Sequence, residues 1–517
     1  MPIAIGVLGL VFVGLLCFFV LRACKGGEGQ QNDQTGAADG SVEQAIVEEP
    51  DYTDINLLMV GDILFHYQVR QSGLSSNGTR NYDHIYAHFL NELADKDIKV
   101  LNQETVLGGP EIGGDAPDGY GSYPQFNGPQ EMADAEVKAG FNVILKATNH
   151  ALDMDYEGLS SELSYWRQNY PDVAVVGAVD PYASTGSADD VYVYDKNGFK
   201  VAILNYTFDL NGMPDPQGVM SMLEEDHVRT TMAKARELAD MIVVFPHWGE
   251  EYETTPNAEQ RMWAQLLVEE GADVIIGNHP HVMQPVEVLA DAEGNPVPCY
   301  WSTGNFVSTS PDDMSLLGGV PELTLRKDKD GNCSIESAQM KVVVTHIGMG
   351  EDMTVYPLTD WTDELAATNY LDTEMNPNTD NTTLTPAWAK QFCTEVLGSD
   401  FDTQTCTLTL DLTAVPTAAT TSATAEDGLE TTEGTSDESG YGESADYGSS
   451  SGGLSSDGTS TLGESTGTGS NAGSDSSVGS DTGMGTSTGA GTGSGMGTGS
   501  GSGSETSTDS RYASTEI

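Results

Sequence analysis

Residues 271–285 read GADVIIGNHPHVMQP, a short apolar run that ends abruptly in polar residues. Ala272 to Ile276 closes on three β-branched residues, the pattern of a buried strand. Gly277 breaks the run, and His279 and His281 follow on either side of Pro280. The whole chain has nine histidines, so spending two at one strand exit asks for a reason beyond packing. In an extended segment these two imidazoles would point to opposite sides, so bringing them together requires a bend, which Pro280 can supply.

Working outward, the same motif of apolar run and polar exit recurs. INLLMVGDILF carries Asp62, IKVLNQE ends at Glu104, NVILKATNH ends at Asn149 and His150, and MIVVFPHWGEEY passes through His247. Helical patterns separate these runs: residues 82–95 with Ile85, Phe89 and Leu93 at helical spacing, 130–139 closed by Gly140, 156–169, 226–240 and 257–270. VYVYDKNGFKVAILNYTF alternates about Asn197-Gly198, a strong short-range hairpin signal. PCYWSTGNF reads as one further strand. Alternating strands and helices predict an α/β domain, with two sheets or one mixed sheet covered by helices.

Asp62, Glu104, Asn149, His150, His247, His279 and His281 all sit at or just beyond strand ends. In α/β folds, buried strands hold loops on that edge so that their side chains converge. Carboxylate and amide oxygens combined with imidazoles suit Mn, Fe or Zn better than an oxygen-only calcium site. A carboxylate can bridge two such ions, and a pair would clamp an oxyanion and acidify water. Each residue also has a plainer reading: Asp62 as a turn residue, Glu104 as a surface acid, Asn149 as a helix cap. His66 is a further candidate because it lies four residues beyond Asp62; Glu250 and Glu251 read equally as supporting partners or as solvated acids.

Beyond this region the chain changes character. Residues 311–412 suggest an extension that packs on the core, with a hairpin turning at 330–332 and a helix over 386–396. From 413 to 517 the chain is Ser, Thr, Gly and scattered acids, without an apolar face to bury, so a disordered tail is expected. Ile3 to Leu21 is apolar and uncharged, about long enough to span a bilayer. Residues 1–24 therefore read as a membrane anchor, or as a lipoprotein signal, since Leu21-Arg22-Ala23-Cys24 resembles a lipobox. Residues 25–53 read as a flexible linker and 54–310 as the main domain. These features suit the extracytoplasmic face of a cell membrane.

A net charge of -58, from 79 acidic against 21 basic residues, argues against nucleic acid as a partner. Of six cysteines, Cys17 and Cys24 belong to the first segment. Cys299, Cys333, Cys393 and Cys406 allow three pairings, of which Cys299 with Cys333 and Cys393 with Cys406 is the expectation adopted.

Taken in order, GDILFH, LNQET, TNHALD, HWGEEY, GADVIIGNHPHVMQP and STGNF resemble the CapA family of capsule and poly-γ-glutamate biosynthesis, which is similar in fold to calcineurin-like metallophosphoesterases. The resemblance covers Ile55 to Val307. It implies a four-layer α-β-β-α metallophosphatase-like sandwich holding two divalent metal ions. On it, Asp62 is the first-strand ligand, Glu104 the bridging position, Asn149, His247, His279 and His281 further ligands, and His150 a proton donor to a leaving group. Family members often carry a second asparagine where Thr148 stands, a glycine at Asp155 and a histidine at Asn278. Metallophosphatases commonly use aspartate at the position of Glu104.

Three readings of function follow. The first is a protein of capsule polymer synthesis or export, with a metal-dependent hydrolase or transferase site, working beside the capsule-polymer machinery on a polyanionic polymer or phosphoester. The second is a general surface metallophosphatase or phosphodiesterase. The third is a non-catalytic scaffold or polymer-binding module.

Overall fold

The structure, a computed structural model, describes residues 51–114, 118–183, 191–310, 312–348, 353–369 and 384–413. The expected anchor and linker, apart from the linker's last residues, and all but the first residue of the expected tail lie outside the described residues. Among the described residues, no helix is long and apolar enough to cross a membrane.

The described residues form sixteen strands in two sheets. In chain order they are β1 (Tyr52–Ile63), β2 (Ile98–Asn102), β3 (Val143–Leu145), β4 (Ala174–Val176), β5 (Tyr192–Lys196), β6 (Phe199–Thr207), β7 (Met241–His247) and β8 (Val274–Ile276). There follow β9 (Val286–Ala290), β10 (Pro296–Tyr300), β11 (Asn305–Val307), β12 (Leu317–Asp328), β13 (Cys333–Ile347), β14 (Met353–Pro357), β15 (Phe401–Asp402) and β16 (Thr407–Thr409). The larger sheet runs β15-β16-β13-β12-β1-β2-β3-β4, with β11 beside β1 and β14 beside β13. The smaller runs β5-β6-β7-β8-β10-β9. β1 to β4 are parallel, as are β6, β7, β8 and β10, so their C-terminal ends open on one edge of each sheet.

The period-2 pleat sorts the core into layers. In the smaller sheet Val201, Ile203, Val243, Val274 and Ile276 join one apolar cluster with Met59, Val100 and Ile144 of the larger sheet. Their neighbours Ala202, Leu204, Ile242, Val244 and Ile275 face the other way. These pack on Val228, Met232 and Ala235 of helix Glu225–Leu238 and on Trp263 and Leu267 of helix Ala258–Glu269. Sheet therefore packs on sheet, with helices outside, and the parallel strands are buried on both faces as their unbroken apolar runs foretold.

Several local expectations are met. Asn197 and Gly198 both have positive φ (57° and 83°) and turn the β5–β6 hairpin. Gly140, at φ 117°, caps helix Glu131–Ala139. The helix expected over 257–270 is present as Ala258–Glu269, and the structure adds a reciprocal capping box between Asn257 and Gln260.

Others need correcting. Residues 82–95 form a 3-10 turn, Asp83–Tyr86, and a short helix, Leu90–Leu93, rather than one helix, although Ile85, Phe89 and Leu93 are all buried as the spacing required. PCYWSTGNF is two strands in different sheets: β10 belongs to the smaller sheet and β11 to the larger. The chain crosses between them at Gly304, whose φ is 67°. The expected disulfides are absent, since the four described cysteines are free thiols. Cys299 lies under the helices of the smaller sheet while Cys333 opens β13 of the other. β12 pairs with β1 from Tyr52 to Leu58, so the hairpin after residue 311 is built into the larger sheet.

Candidate metal centre

Each site residue is placed by a strand exit. On β1 the register with β2 slips between Val60 and Asp62, a bulge that re-aims the Asp62 side chain. Gly61 makes this possible, because a Cβ there would lie 1.9 Å from the Gly304 carbonyl oxygen of the crossing segment. Asp62 is fully buried and saturated with donors. Its Oδ1 accepts from the amides of Asn102 (2.6 Å) and Asn278 (2.9 Å). Its Oδ2 accepts from the His279 backbone N–H (3.3 Å) and lies 3.1 Å from His281 Nδ1.

Glu104 follows β2 and is equally buried, but both its carboxylate oxygens lack a hydrogen-bond partner. Two imidazoles stand just beyond hydrogen-bond range: His247 Nε2 at 3.6 Å and His281 Nε2 at 3.7 Å from Oε1. Burial works to raise its pKa, but His281, His247 and His150 outweigh that and hold the carboxyl well below its ordinary range. His281 answers in kind. Burial pulls its imidazole down, while Glu104 and Asp62 push it up to about 9.

The bend at 279–281 is made by the backbone of the histidines themselves. His279 has φ 99° and His281 φ 59°, both left-handed, with Pro280 between them. The result is that the two rings share one side, with centroids 5.8 Å apart, and His279 lies 4.9 Å from the His247 ring. His279 Nδ1 is buried without a partner. Burial, then His247 and His281, keep this imidazole neutral, well below its ordinary pKa. Gly277 permits the turn, since a Cβ there would meet the Trp301 carbonyl oxygen at 2.3 Å and Trp248 Nε1 at 2.4 Å.

Asn149 Oδ1 is 2.8 Å from His247 Nε2. His150 is held differently: its Nδ1 donates to Asp153 Oδ2 at 2.7 Å, and the same oxygen accepts the Phe126 N–H. Burial opposes charge on His150, but Asp153 and Glu104 raise its pKa overall. With Nδ1 committed, Nε2 is the ring atom available for proton transfer. His66 is half-buried beside Phe126 and accepts the Thr309 N–H on Nδ1 at 3.2 Å. Burial, then His281, lower its pKa to about 4, so it stays neutral, with its δ nitrogen spent on the backbone.

Among the described residues, three sets of ligand atoms cluster closely enough to hold an ion: Glu104 with His247 and His279; Asp62 with Glu104 and His281; and Glu251 with His279 and His281. The first two share Glu104. An unpaired buried carboxylate and an orphaned buried imidazole nitrogen are costly in a folded protein, and a divalent cation between them would satisfy both. The donor set therefore fits a transition-metal ion or a pair of them.

Sequence reasoning missed the amides that hold this shell. Asn102 reaches both Asp62 and His247, the latter at 3.3 Å. Asn278 bridges Asp62 and Thr303, and Asn305 stands 3.1 Å from His281 Nδ1. Asn205, from β6, accepts the Ala147 N–H at 2.6 Å and donates to the Phe245 carbonyl, pinning the two strand edges together. Their position at strand ends was a usable signal; their partners were not. A buried lysine was also overlooked. Lys146 donates to the carbonyls of Gln103 and Thr105, both at 3.1 Å, on either side of Glu104. Its charge is met by Glu162 at 3.0 Å, and both side chains are fully buried.

Fold and site together define an α/β domain of two packed sheets with a buried carboxylate–imidazole centre at the junction of their strand ends. Residues 56–310 match the family described as bacterial capsule synthesis protein PGA_cap. This region of the chain belongs to that family. It is 32% identical over 200 residues to the PGA biosynthesis protein CapA of Bacillus subtilis (strain 168), covering 38% of this chain and 50% of that one. It is 29% identical over 262 residues to the capsule biosynthesis protein CapA of Bacillus anthracis, covering 49% and 59%. The chain thus spans about half the length of the curated relatives it matches. Among solved structures, a 5'-nucleotidase from Candida albicans aligns with TM-score 0.33 and 12% identity over 66% of this chain and 58% of that one. A hypothetical protein from Thermus thermophilus aligns with TM-score 0.31 and 14% identity over 59% and 98%. Likeness at this level identifies neither ligand nor reaction.

Proposed function

We propose that this chain is a metal-dependent hydrolase or transferase of capsule polymer synthesis or export, acting on an ester or amide bond at the outer face of the membrane. The observation that carries the reading is Glu104, a wholly buried carboxylate without a hydrogen bond, facing His247 and His281. Glu104, Asn149, His247 and His279 would hold one cation, and Asp62, Glu104 and His281 a second. Two ions sharing Glu104 are also what the family resemblance implies, in a sandwich of the metallophosphatase kind. When bound, such ions supply Lewis acidity toward a substrate oxyanion and toward water.

The chain's own residues do the rest. His150, whose pKa Asp153 and Glu104 raise against burial, would donate its Nε2 proton to the departing atom, with Asp153 orienting the ring and stabilising its charge. Asp62, bound by two asparagine amides, fixes the position of His281. Phe208 packs against His279 and keeps bulk water from that wall. The capsule role and the polyanionic substrate are inferred from the names of the CapA relatives.

Elemental analysis tests the site. His279→Ala should lose bound Mn, Fe or Zn that the wild-type chain retains through dialysis; equal metal content in the two proteins would defeat the ligand assignment. Chain-length analysis of poly-γ-glutamate, run beside a chromogenic phosphoester screen with Mn, separates the polymer reading from general phosphatase activity.

A further inference from the structure

The loop after β7 runs beside the centre, and its position is set by the turn that carries the histidines. The Trp248 N–H donates to the Asn278 carbonyl at 3.0 Å and the Tyr252 N–H to the Pro280 carbonyl at 2.8 Å, while the Gln284 amide donates to the Glu253 carbonyl at 2.9 Å. Tyr252 takes a left-handed φ of 65° to make its contact. Laced at three points, the loop has little freedom, and Glu251 is delivered to one place. A carboxylate oxygen of Glu251, a nitrogen of His279 and a nitrogen of His281 all lie within 4.8 Å of one another. His279 and His281 are buried, whereas Glu251 is exposed. Glu250, next to it in the chain and also exposed, belongs to no such group among the described residues.

We propose that Glu251 is a solvent-facing ligand of the metal centre, an entrance carboxylate that takes a divalent cation from solution together with His279 and His281. The proposal rests on the metal-dependent reading above and adds a ligand that the strand-end residues do not include. One observation of the structure supports it. His279 Nδ1 is a buried nitrogen without a partner, on one of the two rings that Glu251 approaches. In addition, a carboxylate at the mouth of a site would repel an anionic polymer unless a cation lay between them, and this chain is already strongly acidic. A single exposed carboxylate also exchanges with water more readily than a buried one, so Glu251 would govern how quickly the centre loads.

The full chain, stripped with chelator and titrated with Mn, provides the test. Glu251→Gln should weaken Mn binding about tenfold or more and slow loading, with the thermal midpoint of the metal-free protein unchanged. Glu250→Gln should bind as the wild type does, and Glu251→Asp should recover part of the affinity. Wild-type affinity in Glu251→Gln overturns the inference and leaves the metal-dependent reading standing. A metal-free Glu251→Gln protein that melts early, with Glu251→Asp no better, would show a structural loop residue and overturn it equally. Failure of the wild type itself to bind Mn would sink both.

Discussion

The two halves of the centre are built by different means. The larger sheet contributes Asp62, Glu104, Asn149 and His150 from the exits of three neighbouring parallel strands, and holds them with buried charge and amides. The smaller sheet contributes His247, His279 and His281, and places the last two with left-handed backbone and close glycine contacts. One half is kept in register by polar bonds that persist whatever occupies the site. The other concentrates three rings around a nitrogen without a partner, which a bound ion would satisfy. The contrast teaches that preorganisation resides mainly in the polar bonds around Asp62 and His150, while both Glu104 oxygens on one side and His279 Nδ1 on the other have the most to gain from metal.

The largest effect should come from breaking the first half. Lys146→Met leaves Glu162 buried and without its cation and frees the carbonyls beside Glu104, which should cost about 3–5 kcal/mol in urea unfolding. Adding Glu162→Leu should return much of it, and a single-variant loss below about 1 kcal/mol would contradict the picture.

The smaller sheet can be probed away from the centre. Just before β8, burial raises the Asp273 carboxyl to about 6, against a bond from the Ile242 N–H at 2.7 Å that favours the charged form. Because the folded pKa lies above the unfolded one, the folded state binds the extra proton. Stability should fall as pH rises from about 4 to about 6, then level off. Asp273→Asn keeps an acceptor for Ile242 and removes that dependence. It should exceed wild type by about 2–3 kcal/mol at pH 8 and by little at pH 4. Parallel pH curves for the two proteins would refute the assignment.

Asn102 joins the halves, since its amide reaches both Asp62 and His247. Asn102→Ala should weaken cation binding about tenfold, roughly 1.4 kcal/mol; calorimetric titration that finds unchanged affinity would show the seam to be dispensable. The smallest effect belongs to the β5–β6 turn. Asn197→Ala forces a Cβ residue without a local hydrogen bond into φ 57°, costing about 1 kcal/mol, with Asn197→Gly close to wild type in thermal melts.

The alternation of apolar runs and polar exits was legible because each strand's burial is written in consecutive residues. The helix cap at Gly140 and the Asn197-Gly198 turn were legible for the same reason. Residues 82–95 misled because Ile85, Phe89 and Leu93 record which face is buried, not that the backbone between them relaxes into a 3-10 turn. Glu251 stayed between two equal readings and Lys146 was passed over, since a charged residue in sequence does not reveal whether its neighbours in space are water or imidazoles.

By itself the sequence determined the strand exits and the residue types that gather there, because period and composition are local properties. Only the tertiary structure decided that β10 and β11 part into different sheets, that Asp62 is saturated while Glu104 is bare, and that His279 and His281 turn to one side. Those outcomes depend on contacts between residues far apart in the chain, such as Asp62 with His281 and Lys146 with Glu162, and long-range pairing is fixed by packing geometry rather than by any local pattern.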